Sequence, residues 1–133
     1  MATSAPEALS AIPLFSSLSS RQLRKLQRSA DEHSYEPDTT IVREGGHTAS
    51  LFVVIEGSAK VVRGGRTISR RHPGEYFGEI ALIDSRPRAA SVISETSMRC
   101  LVLQQDSLRK LLMSEPQVAW AMLQSLATRL RGE

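Results

Sequence analysis

Cysteine is almost absent from this chain of 133 residues, with Cys100 its single example. An intrachain disulfide and a Cys-rich metal site are therefore excluded, and a reducing, cytoplasmic setting is the simpler expectation. Aromatic residues are also scarce, at 5% against 41% apolar residues overall, so aliphatic side chains must supply most of the packing. Three histidines, His33, His47 and His72, are isolated from one another, and no His-x-His pair exists. A metal-dependent β-roll enzyme needs such a pair together with a further His or Glu, so these are expected to be surface or loop residues and no metal is expected. Long apolar runs are missing too. The start, MATSAPEALSAIPLF, has no basic segment followed by a continuous apolar stretch, and nothing approaches the roughly 18 to 20 apolar residues of a membrane span.

What is present fits one domain, with residues 1–8 small, polar and disordered and residues 9–133 folded. The charge of +3 is mildly basic. Arg21, Arg24, Lys25 and Arg28 recur at helical spacing, and Arg63, Arg66, Arg70 and Arg71 surround Gly64-Gly65; both groups are expected to be solvated surface. Nucleic-acid binding would need a stacking platform or a recognition helix, and neither is seen.

The coarse order is helices, strands, helices. Ile12, Leu14, Phe15, Leu18, Leu23 and Leu26 fall in a helical rhythm broken by Pro13 and the serines at 16–20, which gives two short helices, the second capped by Ser19 or Ser20 with Leu23 and Leu26 inward. Strands are expected over 40–43, 50–55, 58–63, 66–71, 90–94 and 98–104, with tight turns at Gly45-Gly46, Glu56-Gly57 and Gly64-Gly65. Asp106 or Ser107 caps a helix that Glu115-Pro116 ends. A last helix over 116–131 carries Val118, Met122, Leu123, Leu126 and Leu130, a stripe longer than a helix ending in solvent requires. The expected fold is therefore α+β, an antiparallel β-roll of jelly-roll or small-barrel type flanked by N-terminal and C-terminal helices.

The stretch FGEIALIDSRPRAASV, residues 77–92, interrupts the strand pattern. A short helix opening at Gly78 would aim unpaired amides of Ile80 and Ala81 at an anion. Pro87 stiffens the return, and Arg88 offers a planar fork matching two phosphate oxygens, with room left by the alanines beside it. Glu79 would repel a phosphate, but it would accept a hydrogen bond from a ribose 2′-hydroxyl. The pair then describes a nucleotide with one compact phosphate. The alternative is a structural ion pair between Glu79 and Arg88.

This stretch strongly resembles the phosphate-binding cassette of the cyclic nucleotide-binding domain family, which includes protein kinase A regulatory subunits, catabolite activator proteins and gated ion channels. The resemblance runs from about Ile12 to Leu130 and is supported by IPLFSSLS, IVREG at 41–45, LFVVIEG at 51–57 and PGEYFGE at 73–79. It implies a site of Phe77, Gly78, Glu79, Ile80, Ala81, Arg88, Ala89, Ala90 and Ser91. In that site Glu79 meets the ribose, Arg88 and the amides of Ala81 and Ala89 meet the phosphate, and Gly78 permits close approach. Ala89 in place of Thr or Ser implies a preference for cAMP over cGMP. The loop at Gly46-His47-Thr48-Ala49 departs from the family pattern. Candidates for a lid over the base are Trp120, Arg129 and Arg131, Trp120 being expected in the core or an interface.

The resemblance further implies a sensor that moves its C-terminal helices on binding cAMP, or cGMP, without another cofactor, and that acts on an effector domain or protein through those helices. No catalytic constellation is found, and Cys100 reads as a buried strand residue rather than a nucleophile. The alternative is the sensor portion of a Crp/Fnr-type transcription regulator lacking its helix-turn-helix, since no recognition helix follows before Glu133. Arg88 is expected to be solvent-accessible, so that its removal would spare the fold.

Overall fold

The computed structural model describes Phe15 and residues 18–47, 50–78 and 86–132, the side chains of Ser125 and Arg129 excepted. The disordered N-terminus expected at 1–8, the first short helix apart from Phe15 and Leu18, and residues Glu79, Ile80 and Ala81 lie outside the described residues.

Helix α1 (Ser20–Ser29) begins where the sequence offers S-x-x-Q. The Gln22 amide donates to Ser19 Oγ at 3.2 Å while the Ser19 amide donates to Gln22 Oε1 at 2.8 Å, a reciprocal cap that satisfies two otherwise orphaned donors. Leu26 turns inward and is buried, with Leu23 packed beside it. Ser19→Ala is expected to lower stability by about 1 kcal/mol in urea denaturation, the usual cost of a lost N-cap. No change in the unfolding midpoint would show that the cap contributes nothing.

Among the described residues eight strands follow: β1 (Ala30–Tyr35), β2 (Thr40–Val42), β3 (Ser50–Glu56), β4 (Ala59–Arg63), β5 (Arg66–Arg71), β6 (Tyr76–Phe77), β7 (Ser91–Ser94) and β8 (Met98–Gln104). They form two antiparallel four-stranded sheets, ordered β1-β8-β3-β6 and β2-β7-β4-β5. With the helices this is the α+β β-roll architecture. Six strands agree with the sequence expectation to within a residue at either end. β1 and β6 are additional.

The apolar run Leu51–Ile55 has no polar alternation because β3 is covered on both faces. Leu51, Val53 and Ile55 join Leu101 and Leu103 of β8 and the helices in one core cluster. Phe52 and Val54 join Cys100 and Val102 of β8, with Val42, Val61 and Val92 of the other sheet, in a second. Successive strand residues point to opposite faces, so the period of two divides one strand between two cores. The molecule is thus three layers: helices, first sheet, second sheet.

The C-terminal pair is α2 (Gln105–Ser114) and α3 (Pro116–Leu130). Neither Asp106 nor Ser107 caps α2. The helix starts directly from the end of β8 with Gln104 in the cap position and no side-chain cap bond, which places Asp106 in the first turn, where its charge suits the helix dipole. Leu108 and Leu111 are buried, as are Val118 and Met122 on α3. Leu123, Leu130 and Trp120 are exposed, Trp120 by 64%, so of the two places expected for Trp120, the core or an interface, the core is corrected. Among the described residues no helix is long and apolar enough to cross a membrane.

Candidate ligand-binding site

β6 ends at Phe77, whose buried ring lies flat on Phe52 of β3, with centroids 4.9 Å apart and planes 5° from parallel. This stack anchors the start of the 77–92 stretch in the second core. The next residue, Gly78, has φ of +98°, a conformation that side-chain-bearing residues rarely adopt.

The carbonyl of Gly78 accepts a hydrogen bond from Arg88 Nη1 at 2.8 Å, and the carbonyl of Ser50 accepts one from Arg88 Nη2 at 2.8 Å. A Cβ added at Gly78 would sit 2.6 Å from the Ser50 oxygen and 2.7 Å from Arg88 Nη1. The close approach that the structure shows at Gly78 is therefore that of the guanidinium. Arg88 is only 4% exposed, which corrects the expectation of a solvent-accessible side chain. Its position is held by two carbonyls that no local sequence rule would have paired with it.

The main chain of Arg88 is fixed as firmly. Its amide donates to the Gly46 carbonyl and its carbonyl accepts from the Gly45 amide, each at 2.8 Å. The loop after β2 is thereby stitched to the arginine. The Glu44 amide donates to Ser91 Oγ at 2.8 Å, Glu44 Oε1 accepts from the Gly64 amide at 3.0 Å, and Arg63 Nε donates to the Ala89 carbonyl at 3.2 Å. Together these contacts connect the β2–β3 loop, the β4–β5 turn and the segment Arg88–Ser91.

Of the sequence-derived site residues, the structure brings together Gly78, Arg88, Ala89 and Ser91, with Phe77 packed beneath and Ala90 partly buried against the second core. Ala89 itself is exposed. Glu79, Ile80 and Ala81 lie outside the described residues, as does the Arg129 side chain, while Arg131 is exposed on the turn after α3. Glu44, Ser50, Arg63 and Gly64 are not site residues in the sequence reading. Glu44 and Gly45 lie within the quoted IVREG motif, but Arg63 reads in sequence as a solvated hairpin tip because nothing local announces the Ala89 carbonyl.

Among the described residues no group of three or more His, Cys, Asp and Glu side chains could hold a metal. His33 is at the surface rather than in a loop, exposed within β1, opposite Cys100 on β8 and stacked on Tyr35. Cys100 is fully buried, and burial pushes its thiol up to about 12, which leaves it protonated and poorly nucleophilic near neutral pH. Burial, reinforced by Cys100, also raises Tyr35.

The model of the cyclic nucleotide-binding domain matches residues 32–115. The cAMP-dependent protein kinase regulatory subunit of Aspergillus fumigatus is 35% identical over 108 residues, covering 78% of this chain and 26% of that protein. The chain thus spans about a quarter of the length of that relative. Catabolite activator protein of Thermus thermophilus superposes with a TM-score of 0.84 at 30% identity, over 90% of this chain and 59% of that one. The regulatory domain of Toxoplasma gondii PKA, solved with cAMP, gives 0.74 at 29% identity, over 80% and 42%.

Proposed function

Because the chain belongs to the cyclic nucleotide-binding domain family, we propose that it is a sensor whose Arg88 receives the phosphate of cAMP, with cGMP bound more weakly. The observation that carries this reading is the fixed guanidinium. Arg88 is held by the Gly78 and Ser50 carbonyls, and its backbone is locked to Gly45 and Gly46. An orientation set in advance reduces the ordering cost of binding an anion bidentately. In this reading Glu79 accepts the ribose 2′-hydroxyl, and the amides of Ala81 and Ala89 complete the phosphate cradle.

Ala89 supports selectivity because it is exposed beside Arg88 and has no hydroxyl to meet a guanine. Titration calorimetry is expected to give a lower Kd for cAMP than for cGMP, and Ala89→Thr is expected to narrow the gap. Equal affinities in the wild type would remove the preference.

Nucleotide binding is further proposed to reposition α3, the helix from which Trp120, Leu123 and Leu130 project. A ligand shifts such an equilibrium only by binding the two arrangements unequally. Hydrogen exchange with cAMP present should therefore show increased protection along Pro116–Leu130. Identical exchange with and without the nucleotide would leave α3 without a part in sensing. The likeness to catabolite activator protein favours a second reading, the sensor portion of a transcription regulator.

A further inference from the structure

The basic residues of α1 and α2 have no part in the proposed nucleotide site. Arg21, Arg24, Lys25 and Arg28 on α1, and Arg109 and Lys110 on α2, are all exposed, and among the described residues none of them is in an ion pair. α1 contains no acid, and α2 contains only Asp106. Setting aside these six cations with Asp106 and Glu115 leaves 11 basic and 12 acidic residues in the whole chain, so this face carries all of its basic excess.

The face is recessed. A cavity of about 230 Å³ lies between the two helices, with Leu26 and Leu111 among its apolar lining, hydroxyls from Ser29, Ser107 and Ser114, and Lys25 and Lys110 contributing from opposite helices. Lys25 also borders a cavity of about 400 Å³ with Arg21 and Arg28, and Lys110 borders another with Arg109 and Met113. Gln22 on α1 donates to Glu115 just after α2, tying the two helices together across this groove.

We propose that this groove docks an acidic segment of a partner protein, with carboxylates set on Lys25 and Lys110 and an apolar side chain against Met113. Charge complementarity steers such an encounter and fixes its register. A uniform polyanion fits less well, because Asp106 and Glu115 interrupt the basic surface and only a segment with uncharged residues between its acids avoids them, and among the described residues no aromatic side chain lines the groove for base stacking. A flat anionic bilayer would leave the recess unfilled. Met113, 78% exposed beside Arg109 and Lys110, supplies a flexible apolar contact that suits a mixed acidic and apolar peptide.

The test is fluorescence anisotropy with a labelled peptide of glutamates interspersed with leucines, compared with its glutamine counterpart, with phosphatidylserine vesicles and with duplex DNA. The acidic peptide should bind best. The double variant Lys25→Glu/Lys110→Glu should weaken it by about tenfold, whereas Lys60→Glu/Arg66→Glu on the second sheet, with the same net charge, should change it by less than about twofold. Thermal denaturation checks that both variants fold, and Lys25→Gln/Lys110→Gln provides a milder reading of the same site with an intermediate loss. Equal weakening by the two charge-reversed pairs would reduce the effect to net charge and overturn the proposal. Tighter binding of vesicles or DNA than of the peptide would overturn it in favour of a different partner.

Discussion

Arg88→Ala is expected to lose the cAMP-induced rise in melting temperature and, separately, to lower the melting temperature of the ligand-free protein. The first effect follows from removing a charge-assisted contact to the phosphate, for which about 2–4 kcal/mol of binding free energy is a fair expectation. The second follows from the structure. With the side chain gone, the Gly78 and Ser50 carbonyls lose their guanidinium donors; an unsatisfied buried acceptor costs about 1–3 kcal/mol, and the part-buried Gly78 carbonyl, which water can reach, costs about 1 kcal/mol. A loss of about 2–4 kcal/mol should lower the melting temperature by on the order of 10 °C.

A reading in which Arg88 is an exposed ligand contact alone requires an unchanged ligand-free value. Burial to 4% exposure makes the fold and the binding depend on the same group. Arg88→Lys distinguishes the two roles, because a single ammonium keeps the charge but cannot fork between two carbonyls as a guanidinium does. It should recover part of the stability and little of the binding. A full cAMP-induced rise in Arg88→Ala would remove the phosphate role, whereas an unchanged ligand-free melting temperature would remove the structural one.

Gly78→Ala is the second large effect expected. The φ of +98° is strained for any residue with a Cβ, at about 1–3 kcal/mol. The added methyl would also press on a backbone oxygen 2.6 Å away and on the guanidinium nitrogen 2.7 Å away. Backbone at Ser50 cannot yield cheaply, so the arginine must shift and both its hydrogen bonds must lengthen. The total expected loss of stability is about 3–5 kcal/mol, from strain and the weakened pairing together.

Gly74→Ala is the control, since it also has positive φ, at +89°, but among the described residues nothing lies within 4 Å of its added Cβ. Its cost should be confined to about 1–2 kcal/mol of left-handed strain. Urea denaturation of both variants isolates the close packing at Gly78 as the difference between them. Equal losses would mean that the approach of Arg88 to the glycine carries no energy. In cAMP titration Gly78→Ala should also bind more weakly than Gly74→Ala.

The residues that local chemistry governs were legible without coordinates. Ser19 and Gln22 lie within one turn of each other, so their reciprocal cap is written in four consecutive positions. The run Leu51–Ile55 announces a strand, and β5 and β8 fall where turn glycines and β-branched residues place them. The 77–92 stretch stands out as the candidate site because glycine, arginine and small neighbours follow one another within a few residues, and its binding of an anion is the proposal made above.

Long-range contacts decided the rest. β1 reads ADEHSY and is exposed along most of its length, so it carries neither apolar alternation nor β-branched residues, and it is a strand because β8 offers it a ladder from Ala30–Leu103 to Tyr35–Met98. β6 is only two residues long, and it exists through its pairing with Phe52 and Val53. Arg88 is the clearest case. Its chemistry could be named from the sequence, but its burial depends on a carbonyl 38 residues away and its backbone on a loop more than 40 residues away. Sequence pattern reports which groups a residue can bind; which buried acceptors meet it is set only when the two sheets close.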